Sequence, residues 1–208
     1  VTNSEFLAFV DDGGYRDERF WDSKGWAWRE SENAECPVYW RRGEDGGCWT
    51  RAFNTDVPLP PNQPVSHVNW HEATAWCRWA GRRLPSEIEW ETAASYGPEA
   101  GELLFEAPKS RFPWGEATGF STPANLDGSH TGLVDVAAYP EGDSAFGCRQ
   151  MIGNVWEWTT SDFVPFPGFS VDPYDDYSKP WFGTRKVLRG GAWATRGRMI
   201  SNTYRNFF

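Results

Sequence analysis

Gly81-Arg82-Arg83-Leu84-Pro85-Ser86-Glu87-Ile88-Glu89-Trp90-Glu91 closes one helix and opens another. Gly81 stops the first helix, and the second starts just past Pro85. Ser86 with Glu89 three residues on is a capping box: the hydroxyl accepts from a free first-turn amide, and the carboxylate reaches back to the cap amide. Trp90, Ala93 and Ala94 then give a short apolar face. The same signature occurs twice more upstream, in Asn69-Trp70-His71-Glu72 and Thr2-Asn3-Ser4-Glu5. After Asn69, apolar Ala73, Trp76, Cys77 and Ala80 recur at helical spacing up to Gly81, which places Cys77 in packing rather than chemistry. After Thr2, Phe6, Phe9 and Val10 share a face that ends at Gly13-Gly14.

Only these three segments are predicted helical. Residues 11–65 and 97–150 read as loops and short strands, rich in turn residues. Val155–Thr159 and Lys186–Arg189 read as short strands, the second running into Gly190-Gly191, where backbone must bend or be closely approached. The 208 residues contain 21 Gly, 15 Pro and 35 aromatics, 14 of them Trp. That describes one loop-rich α+β domain held together by flat rings, with no repeat and no marked linker.

Charge and cysteine usage narrow the function. Twenty basic residues against 29 acidic ones give a net charge of −9, and no basic stripe is present, so a phosphate-tracking nucleic-acid binder is excluded. No apolar run approaches the roughly 18 residues of a membrane span, and the opening residues carry no signal-peptide pattern, so a cytoplasmic protein is expected. Cys36, Cys48, Cys77 and Cys148 include no C-x-x-C pair, and four in this length is no disulfide scaffold. His71-Glu72 lacks the second histidine of a zinc-protease helix. His67, His71 and His130 read as surface or capping residues.

Five ordered motifs resemble the formylglycine-generating-enzyme fold. They are Pro64–Trp70, Gly81–Glu91, Phe112-Pro113-Trp114-Gly115, Gly153-Asn154-Val155-Trp156-Glu157-Trp158-Thr159 and Leu188-Arg189-Gly190-Gly191-Ala192-Trp193. The resemblance implies an irregular C-type-lectin-like fold with little regular secondary structure. In that family the founding enzyme uses a copper-binding cysteine pair just after the Gly-Gly-aromatic motif. Here the stretch reads Ala194–Ser201 and no cysteine follows Cys148, so formylglycine generation is excluded.

The C-terminal third is similar instead to the ergothioneine-type sulfoxide synthases and their selenoneine-forming relatives. Cys148–Trp158, Phe166-Pro167-Gly168-Phe169, Asp172-Pro173-Tyr174, Tyr177-Ser178, Ala194-Thr195-Arg196 and Thr203-Tyr204-Arg205-Asn206-Phe207 carry this, with Val1-Thr2-Asn3 and Asp12–Tyr15 at the start. The resemblance implies an enzyme joining sulfur or selenium to the imidazole of hercynine (Nα-trimethylhistidine). O2 and a thiol or selenosugar donor are the co-substrates. Non-haem Fe(II) would be held by histidines of a separate N-terminal helical domain. Residues 1–208 are then expected to be the pocket-forming part of a two-domain enzyme, inactive alone, without the iron domain and a closing C-terminal segment.

The same resemblance implies site residues. Asn206 and Phe207 are placed against hercynine, the amide on its carboxylate and the ring on its trimethylammonium. Phe208 follows, where a polar residue in relatives can touch the sulfur donor. Phe166 falls where several relatives carry Tyr, and Phe cannot donate the proton or electron a Tyr would supply. Arg205, with Arg189, Arg196 and Arg198, either clamps a donor carboxylate or pairs with the surplus Asp and Glu. The wider fold binds Ca²⁺ through carbonyls and a Glu, which maps to Ile152, Gly153, Val155 and Glu157, with a second site near Asn125. The alternative reading is a non-catalytic, lectin-like ligand-binding module of the same fold.

Overall fold

All three capping boxes close in the computed structural model, which describes residues 1–98, 101, 106–116, 122–174, 176 and 178–208; Tyr177 of the quoted motif lies outside them. Helix α1 (Asn3–Asp11) is capped by Thr2, whose amide donates to Glu5 at 2.7 Å. Of the face Phe6, Phe9 and Val10, the two rings are fully buried and Val10 is half-buried. The turn after it requires glycine, since a Cβ on Gly14 would sit 2.0 Å from the Phe9 ring.

Helix α2 (Ser23–Ser31) corrects the expectation that residues 11–65 hold only loops and strands. Its cap is Asp22, which accepts from Gly25 N at 2.6 Å. Gly25 is there for close approach, because a Cβ would fall 2.9 Å from the His71 side chain. Helix α3 (Trp70–Trp79) carries the Asn69–Glu72 box and buries Ala75, Trp76 and Cys77. Strands β1 (Trp40–Arg42), β2 (Cys48–Ala52) and β3 (Thr55–Pro58) form an antiparallel sheet in that order.

These elements belong to the first of two compact units, Val1–Leu84 with Val134–Ala137. Its core gathers Phe6, Phe9, Tyr15, Trp21, Trp40 and Trp76. Each such ring stabilises the fold by roughly 1.5–3 kcal/mol on burial. Glu72 lies inside this core, accepting a 2.5 Å hydrogen bond from the Tyr15 hydroxyl. Burial pushes its carboxyl up to about 7, against the opposing pull of the Tyr15 hydroxyl and the Asn69 amide.

The second unit is Pro85–Leu133 with Ala138–Phe208. It holds α4 (Glu87–Ser95) and an antiparallel sheet ordered β4 (Glu157–Asp162), β5 (Lys186–Arg189), β6 (Asn206–Phe207). The strand expected over 155–159 starts two residues later and runs to Asp162. The strand at 186–189 stands as predicted, while β6 was not foreseen. Trp90, Ala94, Phe112, Met151, Ile152 and Ile200 form the core here. The close approach expected at Gly190 is present: a Cβ there would meet the Met151 carbonyl oxygen at 2.6 Å.

Candidate functional site

Cross-strand register decides what the site residues face. Glu157 pairs with Arg189, Trp158 with Leu188, Leu188 with Asn206, and Val187 with Phe207. Because side chains alternate along a strand, one face carries Trp158, Leu188, Asn206 and Phe208, and the other Glu157, Val187, Arg189 and Phe207. The second face is the inner one: Val187 and Arg189 are fully buried, and α4 packs on β4 and β5.

The strand therefore separates the two residues that the resemblance joined around one ligand. Phe207 stacks on Phe163 at 4.2 Å between ring centroids, with Trp181 at 6.3 Å. Asn206 lies half-buried on the opposite face, where its carboxamide makes no hydrogen bond to the described residues. On that face Trp158 meets Phe208 edge-on at 6.3 Å, and Phe208 is 78% exposed. Asn206, Trp158 and Phe208 thus share this face of the sheet, opposite Phe207 and Arg189.

Arg189, Arg196 and Arg205 resolve toward internal pairing. Arg189, without solvent exposure, donates to Glu87 at 2.9 Å, to Glu91 at 2.7 Å and to the Asn202 carbonyl. Its guanidinium also lies over Trp90, 5.0 Å from the centroid. Arg205 grips Glu87 through Nε and Nη2 at 2.6 and 2.9 Å and donates from Nη1 to the Val164 carbonyl at 3.1 Å. Its Cζ sits 4.2 Å from the Phe166 ring centre and 4.9 Å from that of Phe163. Arg196 approaches Asp127 at 3.8 Å. Phe166 itself is exposed and borders a cavity of about 400 Å³, shared with Glu87, Glu91, Thr92, Tyr96 and Lys109.

Glu87 is the residue the sequence reading passed over. It sits inside a recognised capping box, yet nothing local distinguishes a carboxylate that caps from one that anchors two distant guanidinium groups. Phe163 and Trp181 were missed for the same reason, since only the folded sheet brings them to Phe207.

The proposed calcium ligands occupy two settings. Gly153 and Asn154 abut Asn125, with Asn154 N donating to the Asn125 carbonyl at 2.9 Å and the Gly153 carbonyl accepting from Val155 N. Asn125 Oδ1 is buried without a hydrogen-bond partner. Glu157 accepts from the Trp90 indole at 2.5 Å, and burial pushes its carboxyl up to about 7. Among the described residues, no group of three His, Cys, Asp or Glu side chains could hold a metal ion. None of their helices is long and apolar enough to cross a membrane.

The sulfatase-modifying factor enzyme 1-like domain model matches residues 1–208. The chain is 43% identical to hercynine oxygenase from Mycolicibacterium thermoresistibile, over all of this chain and 45% of that protein. It is also 43% identical to hercynine oxygenase from Mycobacterium tuberculosis, over all of this chain and 47% of that one. The chain thus spans about half the length of these curated relatives. Among solved structures, PvdO from Pseudomonas aeruginosa superposes with a TM-score of 0.51 at 21% identity, over 88% of this chain and 69% of that chain.

Proposed function

This chain belongs to the sulfatase-modifying factor enzyme 1-like family, and from that premise we propose that it forms the substrate-binding part of an O2-dependent enzyme acting on hercynine. Support comes from the full-chain similarity to two proteins named hercynine oxygenase. The observation that carries the reading is the half-buried carboxamide of Asn206 on the same face of the sheet as Trp158 and Phe208. A carboxamide N–H donates to the carboxylate of hercynine, and ring faces suit a trimethylammonium, which can neither accept a hydrogen bond nor lose its charge. Phe166 and Phe207 contribute from the other face of β6, as supports rather than contacts.

The reaction proposed is oxidative coupling of a thiol or selenol donor to the imidazole carbon of hercynine, with O2 as oxidant. Non-haem iron would supply O2 activation. The described residues of this chain offer no ligand set for it, so we place its ligands in a histidine-bearing helical part of the full-length protein. What residues 1–208 do is bind and orient: Asn206 fixes the carboxylate end, and Trp158 and Phe208 fix the cationic end. Calcium is proposed at Ile152, Gly153, Val155 and Glu157, with a second site near Asn125, whose unpartnered Oδ1 offers a hard oxygen.

The test is a product assay on the full-length protein with Fe(II), O2, hercynine and either a thiol or a selenol donor. A new C–S or C–Se bond on the imidazole is the expected result, and the donor consumed identifies the chemistry. Hercynine returned unchanged with every donor would contradict the reading.

A further inference from the structure

Strand β6 is only two residues long, and something besides its ladder must hold Asn206 in place. Its backbone pairs with β5, and Phe208 and Lys186 exchange amide–carbonyl bonds at 3.0 and 3.1 Å. A ladder this short opens readily. Arg205 directly precedes Asn206, and its side chain points to the inner face. There its guanidinium closes bidentately on Glu87 at the start of α4 and hydrogen-bonds the Val164 carbonyl. The side chain of Glu87 is 11% exposed, and the carboxylate also receives Arg189. Planar, bidentate pairs of this kind fix geometry as well as energy.

We infer that Glu87 is a positioning residue for the substrate strand: it fixes Arg205, and Arg205 fixes the backbone that presents Asn206, tying β6 to α4 and to the segment that carries Phe166. A carboxylate 118 positions away in the sequence thereby sets where the ligand-facing amide stands. The inference rests on the reading of Asn206 as a hercynine contact, and the experiment separates the two.

Hercynine affinity is measured calorimetrically in the full-length protein, in Arg205→Lys, in Asn206→Ala and in the double variant. Lysine keeps the charge against Glu87 but loses the fork and the bond to Val164. Arg205→Lys should weaken hercynine roughly tenfold, the scale of one lost charge-assisted hydrogen bond. In the Asn206→Ala background the same change should cost less than about twofold, since residues acting through one another are not additive. Equal losses in both backgrounds would overturn the positioning role. Hydrogen exchange at the Phe208 and Lys186 amides gives a second measure that needs no ligand. Those amides should exchange roughly tenfold faster in Arg205→Lys, with the α1 amides of the other unit unchanged. If they do so while Asn206→Ala binds hercynine normally, the clamp stands and the substrate reading falls. Unchanged exchange at both amides would overturn the clamp itself. Glu87→Gln, which keeps one acceptor oxygen, should reproduce both effects in weaker form, and its failure to do so would count against the inference.

Discussion

Arg205 lies against Phe166, its Cζ 4.2 Å from the ring centre, while the same guanidinium is forked onto Glu87. One face of that ring is therefore occupied from within the protein, although Phe166 remains 58% exposed, and the trimethylammonium site proposed here lies on the opposite face of β6. Phe166→Tyr adds a hydroxyl to an exposed ring without disturbing the stack. It should leave hercynine affinity within about twofold, because a surface change away from the ligand seldom exceeds about 0.5 kcal/mol. A tenfold change in the titration would return Phe166 to the ligand.

The ion cluster around Glu87 is a stability element as well. Replacing Glu87 by Ala leaves Arg205 without its carboxylate and leaves Arg189, which has no solvent exposure, with Glu91 as its remaining carboxylate. Removing one partner from a buried pair destabilises by about 3–5 kcal/mol. Urea unfolding of Glu87→Ala should show that loss, and a change below about 1 kcal/mol would mean that water replaces the carboxylate there.

Glu72 predicts a pH dependence. Its carboxyl is raised by burial from 4.5 to about 7, so the folded state holds the proton more tightly than the unfolded chain does. The stability this contributes is fully present below the unfolded value and is lost as pH rises through about 7. Glu157, raised likewise to about 7, acts in the same window, so melting temperature should fall between pH 5 and 8 and Glu72→Gln should remove only part of that slope. A profile with the same slope in the variant would assign the dependence to other groups.

Calcium should raise the melting temperature, as any ligand that binds only the folded state does. The expected loss of this response in Glu157→Gln would place the ion at the buried carboxylate beside Trp90. Coincident melting curves in millimolar calcium and in chelator would remove the site.

How much was legible follows from the range of each interaction. The capping boxes at Thr2, Asn69 and Ser86 are local, each closing over three residues, and all three stand where the sequence put them. Helix α2 was hidden because Gly25 in its first turn answers to a tertiary neighbour, His71, rather than to helix propensity. The strand 186–189 was readable from its β-rich run into two glycines. The opposition of Asn206 and Phe207 was not, because it depends on which strand they pair with across a long loop. Likewise the arginines of the C-terminal stretch could be counted, but their anchor on Glu87 spans 102 and 118 positions.

The central claim is that the Asn206 face of β6 recognises a trimethylammonium carboxylate. Calorimetric titration of hercynine and of free histidine into the full-length protein and its Phe208→Ala variant tests it most directly. Hercynine should bind more tightly than histidine by about 1–2 kcal/mol, the worth of a desolvated cation–π contact. Phe208→Ala should lose most of that margin while weakening histidine little. Equal affinity of the unmutated protein for the two ligands would contradict the account.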